Sequence, residues 1–210
     1  MSQEIIQDEA VEKESLWQLL GPVVVLTVIC AVAGTALAGV KLGTASRIES
    51  QVLNNVQGPT LQRMFPNADN DIVAERKMLT GPNGQAVIVF PIYEKGQLSA
   101  VAIEGIASGY GGDFGVMTAF NLANDTMNNI GVTISKETPG IGSQVATPRF
   151  TKQFRNGAPD EMKLRSQGGK INAISGATIS STAASNAVQQ ASAFYRELKP
   201  EIGKTWPASR

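Results

Sequence analysis

Histidine is absent from this chain of 210 residues, and cysteine occurs once. Without histidine there is no Ser-His-Asp triad, no imidazole-ligated metal and no histidine-ligated haem. A single cysteine, Cys30, closes no disulfide within the chain and builds no cysteine-ligated iron–sulfur cluster. A redox role would therefore need an organic cofactor. Charge of one sign is missing too: Lys+Arg and Asp+Glu are both 18, for a formal net charge of zero. Binding many phosphates needs a clear basic excess, so no nucleic-acid partner is expected. Neither G-x-S-x-G nor S-x-x-K occurs, which leaves a nucleophilic Ser175 or Thr178 with no base to activate it. No catalytic and no metal-ligating residue is expected.

What is present begins with an apolar run. From Ser15 to Val40 no residue is charged, and Val23 to Ala38 is almost wholly aliphatic or small. A membrane-crossing helix needs roughly 20 apolar residues, which this run supplies. Trp17 stands at one end, where an indole suits the headgroup interface, and Lys41 closes the other. Ala36-Leu37-Ala38 has the form of a signal-peptidase site. The preceding tail, however, is acidic (Glu4, Asp8, Glu9, Glu12, Glu14) rather than cationic, which favours an uncleaved anchor. Bulky Ile29 before Cys30 argues against a lipoprotein. Thr27, Ala31, Thr35, Gly39 and Gly43 form a stripe of small residues along one helix face, suited to packing against a partner helix. Basic residues near the span are Lys13 before it and Lys41 and Arg47 after it. By one residue this count favours a cytoplasmic C-terminal part.

The remainder, with 21 glycines in the chain and a charged fraction of 17%, has the composition of a glycine-rich folded domain. Ala45 to Met64 reads as helix, interrupted by Gly58-Pro59. Ala86 to Tyr93 and Leu98 to Ile106 read as strands joined by Glu94-Lys95-Gly96. Val116 to Leu122 and Asn129 to Ile134 flank a second turn at Asn124-Asp125. A helix is predicted from about Gly176 to Leu198, ended by Pro200, with Ile179, Ala183, Ala187, Ala191, Phe194 and Leu198 facing the core. Ser181, Ser185, Gln189, Ser192 and Arg196 lie off that face. The expected class is α+β: an acidic tail over 1–15, a transmembrane helix over 16–41, and one domain over 45–210 with a mainly antiparallel sheet packed by helices.

Chemistry concentrates in three glycine-rich strings. Ile174-Ser175-Gly176-Ala177-Thr178-Ile179-Ser180-Ser181 stands where a loop enters the last helix. A helix start favours phosphate, through its unpaired N–H groups and positive dipole end. Ser175 also has the character of an ordinary N-cap, the commoner role for such a serine, and the two roles are compatible. Lys136-Glu137-Thr138-Pro139-Gly140-Ile141-Gly142 sets a rigid proline beside flexible glycines, a loop able to bring backbone against a flat ligand. Gly109-Tyr110-Gly111-Gly112 is the third. On residues alone the last two are equally ordinary turns.

In this order, behind one N-terminal span, the three strings resemble the FMN-binding domain of the G subunit of Rnf-type electron-transport complexes. The C subunit of sodium-pumping NADH:quinone reductase is a more distant likeness. The resemblance implies FMN bound through a phosphoester to Thr178, moved there from FAD by a flavin transferase. Ser175, Gly176 and Ala177 match the approach to that residue, and Glu137, Thr138, Gly140 and Ile141 match the loop flanking the flavin ring. Where the family usually has aspartate six residues before the threonine, this chain has Asn172. The resemblance further implies an electron relay in a membrane complex that couples ferredoxin and NAD to movement of Na+ or H+. Its other integral and peripheral subunits would be the partners. The flavin domain would lie outside the cytoplasm, on the periplasmic side of the inner membrane, against the charge count. The competing expectation is a membrane-anchored adaptor or sensor of the same fold without redox turnover.

Overall fold

The computed structural model describes residues 2–81 and 84–209; the side chains of 2–19, the acidic tail and Trp17 included, and of Glu49 lie outside the described set. The chain divides into two compact units, Met1–Ser50 and Gln51–Arg210. The first consists of one long helix, α1 (Ser2–Val52). Among the described residues it is the one helix long and apolar enough to cross a membrane, and its apolar stretch is unburied. Thr27 and Thr35 turn their hydroxyls back onto the carbonyls of Val23 and Ala31, each at 2.8 Å, so no polar group of theirs projects outward unsatisfied.

The second unit is α+β. Its sheet has five antiparallel strands in sequence order: β1 (Lys77–Thr80), β2 (Ala86–Glu94), β3 (Gln97–Ser108), β4 (Asp113–Asn121) and β5 (Met127–Ile134). Lys95 and Gly96, both at positive φ, make the two-residue turn between β2 and β3, the conformation that matches strand twist. Pro91 sits within β2, where a missing N–H would ordinarily break a ladder. β1 ends opposite Val89, and the Pro91 carbonyl accepts Asn70 Nδ2 at 3.0 Å on that same side. The prolyl nitrogen therefore faces a stretch with no neighbouring strand.

Alternation along β3 divides the core. Val101 and Ile103 enter one apolar cluster, with Val116, Phe120 and residues of the last long helix, α4 (Thr178–Thr205). Ala100 and Ala102 enter a second, with Leu53, Leu61 and Phe65 from the other side of the sheet. Gly105 permits the closest approach of α4 to β3, because a Cβ there would overlap the Ala187 carbonyl. The crossing segment between β5 and α4 carries only short helical turns, among them α3 (Pro148–Thr151).

Several expectations need correction. The helical path does not break at Gly58-Pro59: the irregularity lies upstream, in a π-helical turn over Leu53–Gln57, followed by α2 (Gly58–Met64). Gly58 is itself helical, and Pro59 falls in the first turn of α2, where no N–H is needed. Pro200 does not end α4, which runs to Thr205. Ile202 and Trp206, buried beyond the proline, give the extra turn a place in the core. Ser181, Ser185 and Ser192 are buried rather than peripheral, because loops cover α4 beside the sheet. Their hydroxyls are satisfied by the carbonyls of Ala177, Met162 and Val188. Ile179, assigned to the core face, is exposed.

One polar group is held under tension inside this unit. Gln57 Nε2 donates to Glu104 Oε2 at 2.7 Å, and the Thr133 hydroxyl donates to Glu104 Oε1. Burial nonetheless pushes the Glu104 carboxyl above the usual range, with the two hydrogen bonds pulling the other way. The folded state thus holds this proton more tightly than the unfolded chain does. That contribution is full below the unfolded titration range and is lost as pH rises through the raised folded value. Glu104→Gln, which stays neutral, is expected to gain stability relative to the parent between pH 5 and pH 8. Urea midpoints for both proteins at the two pH values check this; a constant difference contradicts it.

Candidate functional site

The three glycine-rich strings, far apart in sequence, meet at one carboxylate. Glu137 is 8% exposed and lies just after β5. Its Oε1 accepts the backbone N–H of Tyr110 at 2.9 Å and, more weakly, that of Gly111 at 3.4 Å. Its Oε2 accepts the Ser180 hydroxyl at 2.6 Å, from the first turn of α4. The turn between β3 and β4, the loop after β5 and the start of α4 are thereby tied to one side chain. Glycines make room for it. A Cβ on Gly109 would strike Oε1, and one on Gly142 would stand 2.6 Å from Oε2 and 2.8 Å from Ser180 Oγ. A Cβ on Gly111 would overlap the Lys136 carbonyl, so the two loops touch backbone to backbone.

Two tight turns shape the rim. In Thr138-Pro139-Gly140-Ile141 the Ile141 N–H returns to the Thr138 carbonyl at 3.2 Å, with Gly140 at φ +80°. In Ile174-Ser175-Gly176-Ala177 the Ala177 N–H returns to the Ile174 carbonyl at 3.0 Å, with Gly176 at φ +78°. Positive φ at the third position is what glycine allows at little cost. Ser181 then locks the second turn to the helix, accepting the Ile174 N–H at 3.0 Å while donating to the Ala177 carbonyl at 2.9 Å.

The capping role read for Ser175 is not realised. The residue before the first turn is Ala177, at φ −129°, ψ 42°, with no side-chain cap hydrogen bond. Ser175 is exposed, in the turn. The first N–H groups of α4 consequently meet no capping oxygen. Thr178 is the first residue of the helix and is exposed, and no partner engages its hydroxyl among the described residues.

These elements enclose a cleft of about 510 Å³, a volume in the range of small-molecule and cofactor sites. Of the residues singled out in the sequence, Glu137, Thr138, Ile141, Gly176, Ala177 and Thr178 line it. Ser175 does not: it borders a neighbouring cleft with Asn172 and Arg149. Gly140 does not either; it shapes the turn from outside. Asn172 is bound to Gln153, donating its N–H to Oε1 at 2.8 Å and its Nδ2 to the same oxygen at 3.1 Å. An aspartate would lack the second donor. The cleft also includes Tyr110, Gly142, Ile179 and Ser180, which the motif reading left out of the site. For Tyr110 and Ile179 the signal is exposure of apolar surface. After position 50 the exposed large hydrophobics among the described residues are Met78, Ile106, Tyr110, Ile141 and Ile179, and the last three line this cleft. Scattered exposed apolar residues are ordinary; three around one polar notch suit a flat, partly apolar ligand.

Comparison with known proteins points to the same segment of the chain. Residues 109–193 match the family model of the FMN-binding domain, a span that holds all three glycine-rich strings. The G subunit of an ion-translocating oxidoreductase complex from Methanosarcina acetivorans is 27% identical over 180 residues, 80% of this chain and 90% of that protein. The G subunit of the Na(+)-translocating ferredoxin:NAD(+) oxidoreductase complex from Acetobacterium woodii is 29% identical over 192 residues, 83% of this chain and 90% of that protein. A crystal structure of the C subunit of Na(+)-translocating NADH-quinone reductase from Parabacteroides distasonis aligns with a TM-score of 0.45 at 18% identity, over 53% of this chain and 62% of that one. Residues 109–193 thus resemble an FMN-binding domain, and the chain is similar over most of its length to G subunits of ion-translocating oxidoreductase complexes.

Because Gly111 touches the Lys136 carbonyl directly, Gly111→Ala must push the two loops apart. Overpacking of this kind costs about 1–3 kcal/mol, which chemical denaturation will register as a lowered midpoint; an unchanged midpoint contradicts the close approach.

Proposed function

We propose that this chain is an electron-relay subunit that holds FMN in phosphoester linkage to Thr178, within a membrane complex that couples electron transfer between ferredoxin and NAD to translocation of Na+ or H+. One observation carries the reading: an unengaged threonine hydroxyl at an uncapped helix start opens onto a cleft flanked by Tyr110, Ile141 and Ile179. The residues fit the group. Backbone N–H groups of the first turn of α4 would meet the phosphate, aided by the helix dipole. The aromatic and aliphatic side chains would bracket a ring system, and Glu137 and Thr138 supply polar edges. Bound there, FMN supplies one- and two-electron chemistry; the chain binds it, orients it and sets its electrostatic surroundings.

Attachment would follow from transfer by a partner enzyme. Thr178 Oγ1 forms a bond to the flavin-side phosphorus of FAD, the diphosphate P–O bond breaks, AMP departs, and the hydroxyl proton is released. Asn172 and Ser175, exposed beside the acceptor turn, are available to such an enzyme. The names of the relatives, each a G subunit of an ion-translocating complex, support the coupling and the partner subunits. The apolar stretch of α1 supports a single membrane span over 16–41. The domain over 45–210 would lie on the periplasmic face, as the resemblance implies. A covalent tether is useful on that side, where a dissociated flavin would be diluted.

Mass spectrometry of peptides from the native membrane protein is expected to find the Thr178 peptide heavier by one FMN less water, and Thr178→Val to lack the increment. An unmodified Thr178 peptide from active membranes would leave only the adaptor or sensor reading. A second expectation concerns the span: Gly39→Leu should lower co-purification with partner subunits several-fold if small-residue packing holds the helix there. Undiminished co-purification removes that contact.

A further inference from the structure

We infer that Glu137 is a fixed negative charge that holds down the reduction potential of the bound flavin, in addition to holding the site's loops together. The inference rests on the FMN reading above. Both oxygens of Glu137 face donors, two backbone N–H groups and one hydroxyl, which is the pattern of an acceptor-only carboxylate. Among the described residues no lysine or arginine forms an ion pair with it, so no direct ion pair neutralises its charge. It is also the one acidic side chain lining the cleft, and it is buried there. In a partly buried site a charge is poorly screened, so its field acts on whatever occupies the cleft. Reduction adds electrons to the flavin ring, and a negative charge alongside opposes that gain. The oxidised form is favoured.

The hydrogen-bond pattern offers a substitution that removes charge while sparing geometry. In Glu137→Gln, the remaining carbonyl oxygen still accepts from Tyr110 and Gly111. The new amide donates to Ser180, whose hydroxyl rotates to accept. Ser180→Ala does the opposite: it keeps the charge and strips one donor from it, leaving the carboxylate less neutralised by its surroundings. Glu137 is thus a positioning and tuning residue, and its two effects separate experimentally.

The test is a redox titration of the purified full-length flavoprotein in detergent, with dithionite as reductant and redox mediators, followed by flavin absorbance. Glu137→Gln is expected to raise the midpoint by the equivalent of about tenfold in the reduction equilibrium, about 30 mV for a two-electron couple. Ser180→Ala is expected to move it the other way. A Gln variant with the parent's midpoint overturns the inference, as does a shift of the same sign in both variants, which a merely loosened site would give. Flavin content per chain, measured on the same samples, keeps the two claims apart. A parent without flavin overturns the cofactor reading, and this inference with it; a fully flavinylated Gln variant at unchanged potential overturns this inference alone. If Glu137→Gln fails to fold, the sign of the Ser180→Ala shift decides.

Discussion

The buried carboxylate of Glu137 is the constraint on which the site depends. The turn at Tyr110-Gly111 and the first turn of α4, dozens of residues away on either side, converge on the loop after β5 because each offers a donor to the two oxygens of Glu137. The arrangement has an energetic logic. A carboxylate this deep is costly unless its lone pairs are met, and here a turn and a helix supply donors to a carboxylate that a loop presents. Removing one segment from its position leaves a buried acceptor unsatisfied, so each holds the others in register. The glycines follow from the same demand: side chains at 109 or 142 would occupy the space the carboxylate needs, and one at 111 would strike the Lys136 carbonyl of the same loop.

Around that tie, the sheet and α4 supply rigidity. Strands β3, β4 and β5 deliver two of the three segments from one edge of a continuous antiparallel ladder. The third comes from a helix whose buried face is fixed against the same sheet, with Phe120 and Tyr195 stacked 4.4 Å apart. The side chains lining the cleft thus sit on loops and a helix start whose ends are anchored in the core. Thr178 is placed where chain direction changes from turn to helix, the position at which backbone donors and an exposed hydroxyl coincide.

Much of this was legible in the residues, and the remainder fails for identifiable reasons. β2 to β5 follow alternation and turn chemistry, and Lys95-Gly96 sets a two-residue hairpin as its composition suggests. β1 escaped notice because four residues at a sheet edge, mostly exposed, carry no period. Pro200 misled because local propensity yields to the burial of Ile202 and Trp206 further on. Ser175 misled in the opposite sense: a serine three residues before the first residue of a helix has capping chemistry, but Gly176 at positive φ leaves Ala177 at the boundary instead. The cleft's apolar rim was unreadable because exposure is a tertiary property. Ile179 has the periodicity of a core residue and is a surface one because, in the first turn of α4, it borders the cleft.

The central proposal is a flavin held by a bond rather than by contacts alone, in the cleft between these loops. Denaturing gel electrophoresis of the native chain, viewed under ultraviolet light before staining, tests this most directly. Flavin fluorescence migrating with the unfolded polypeptide is the predicted result. A dark band at the position of the chain, with the flavin running free at the front, would contradict it.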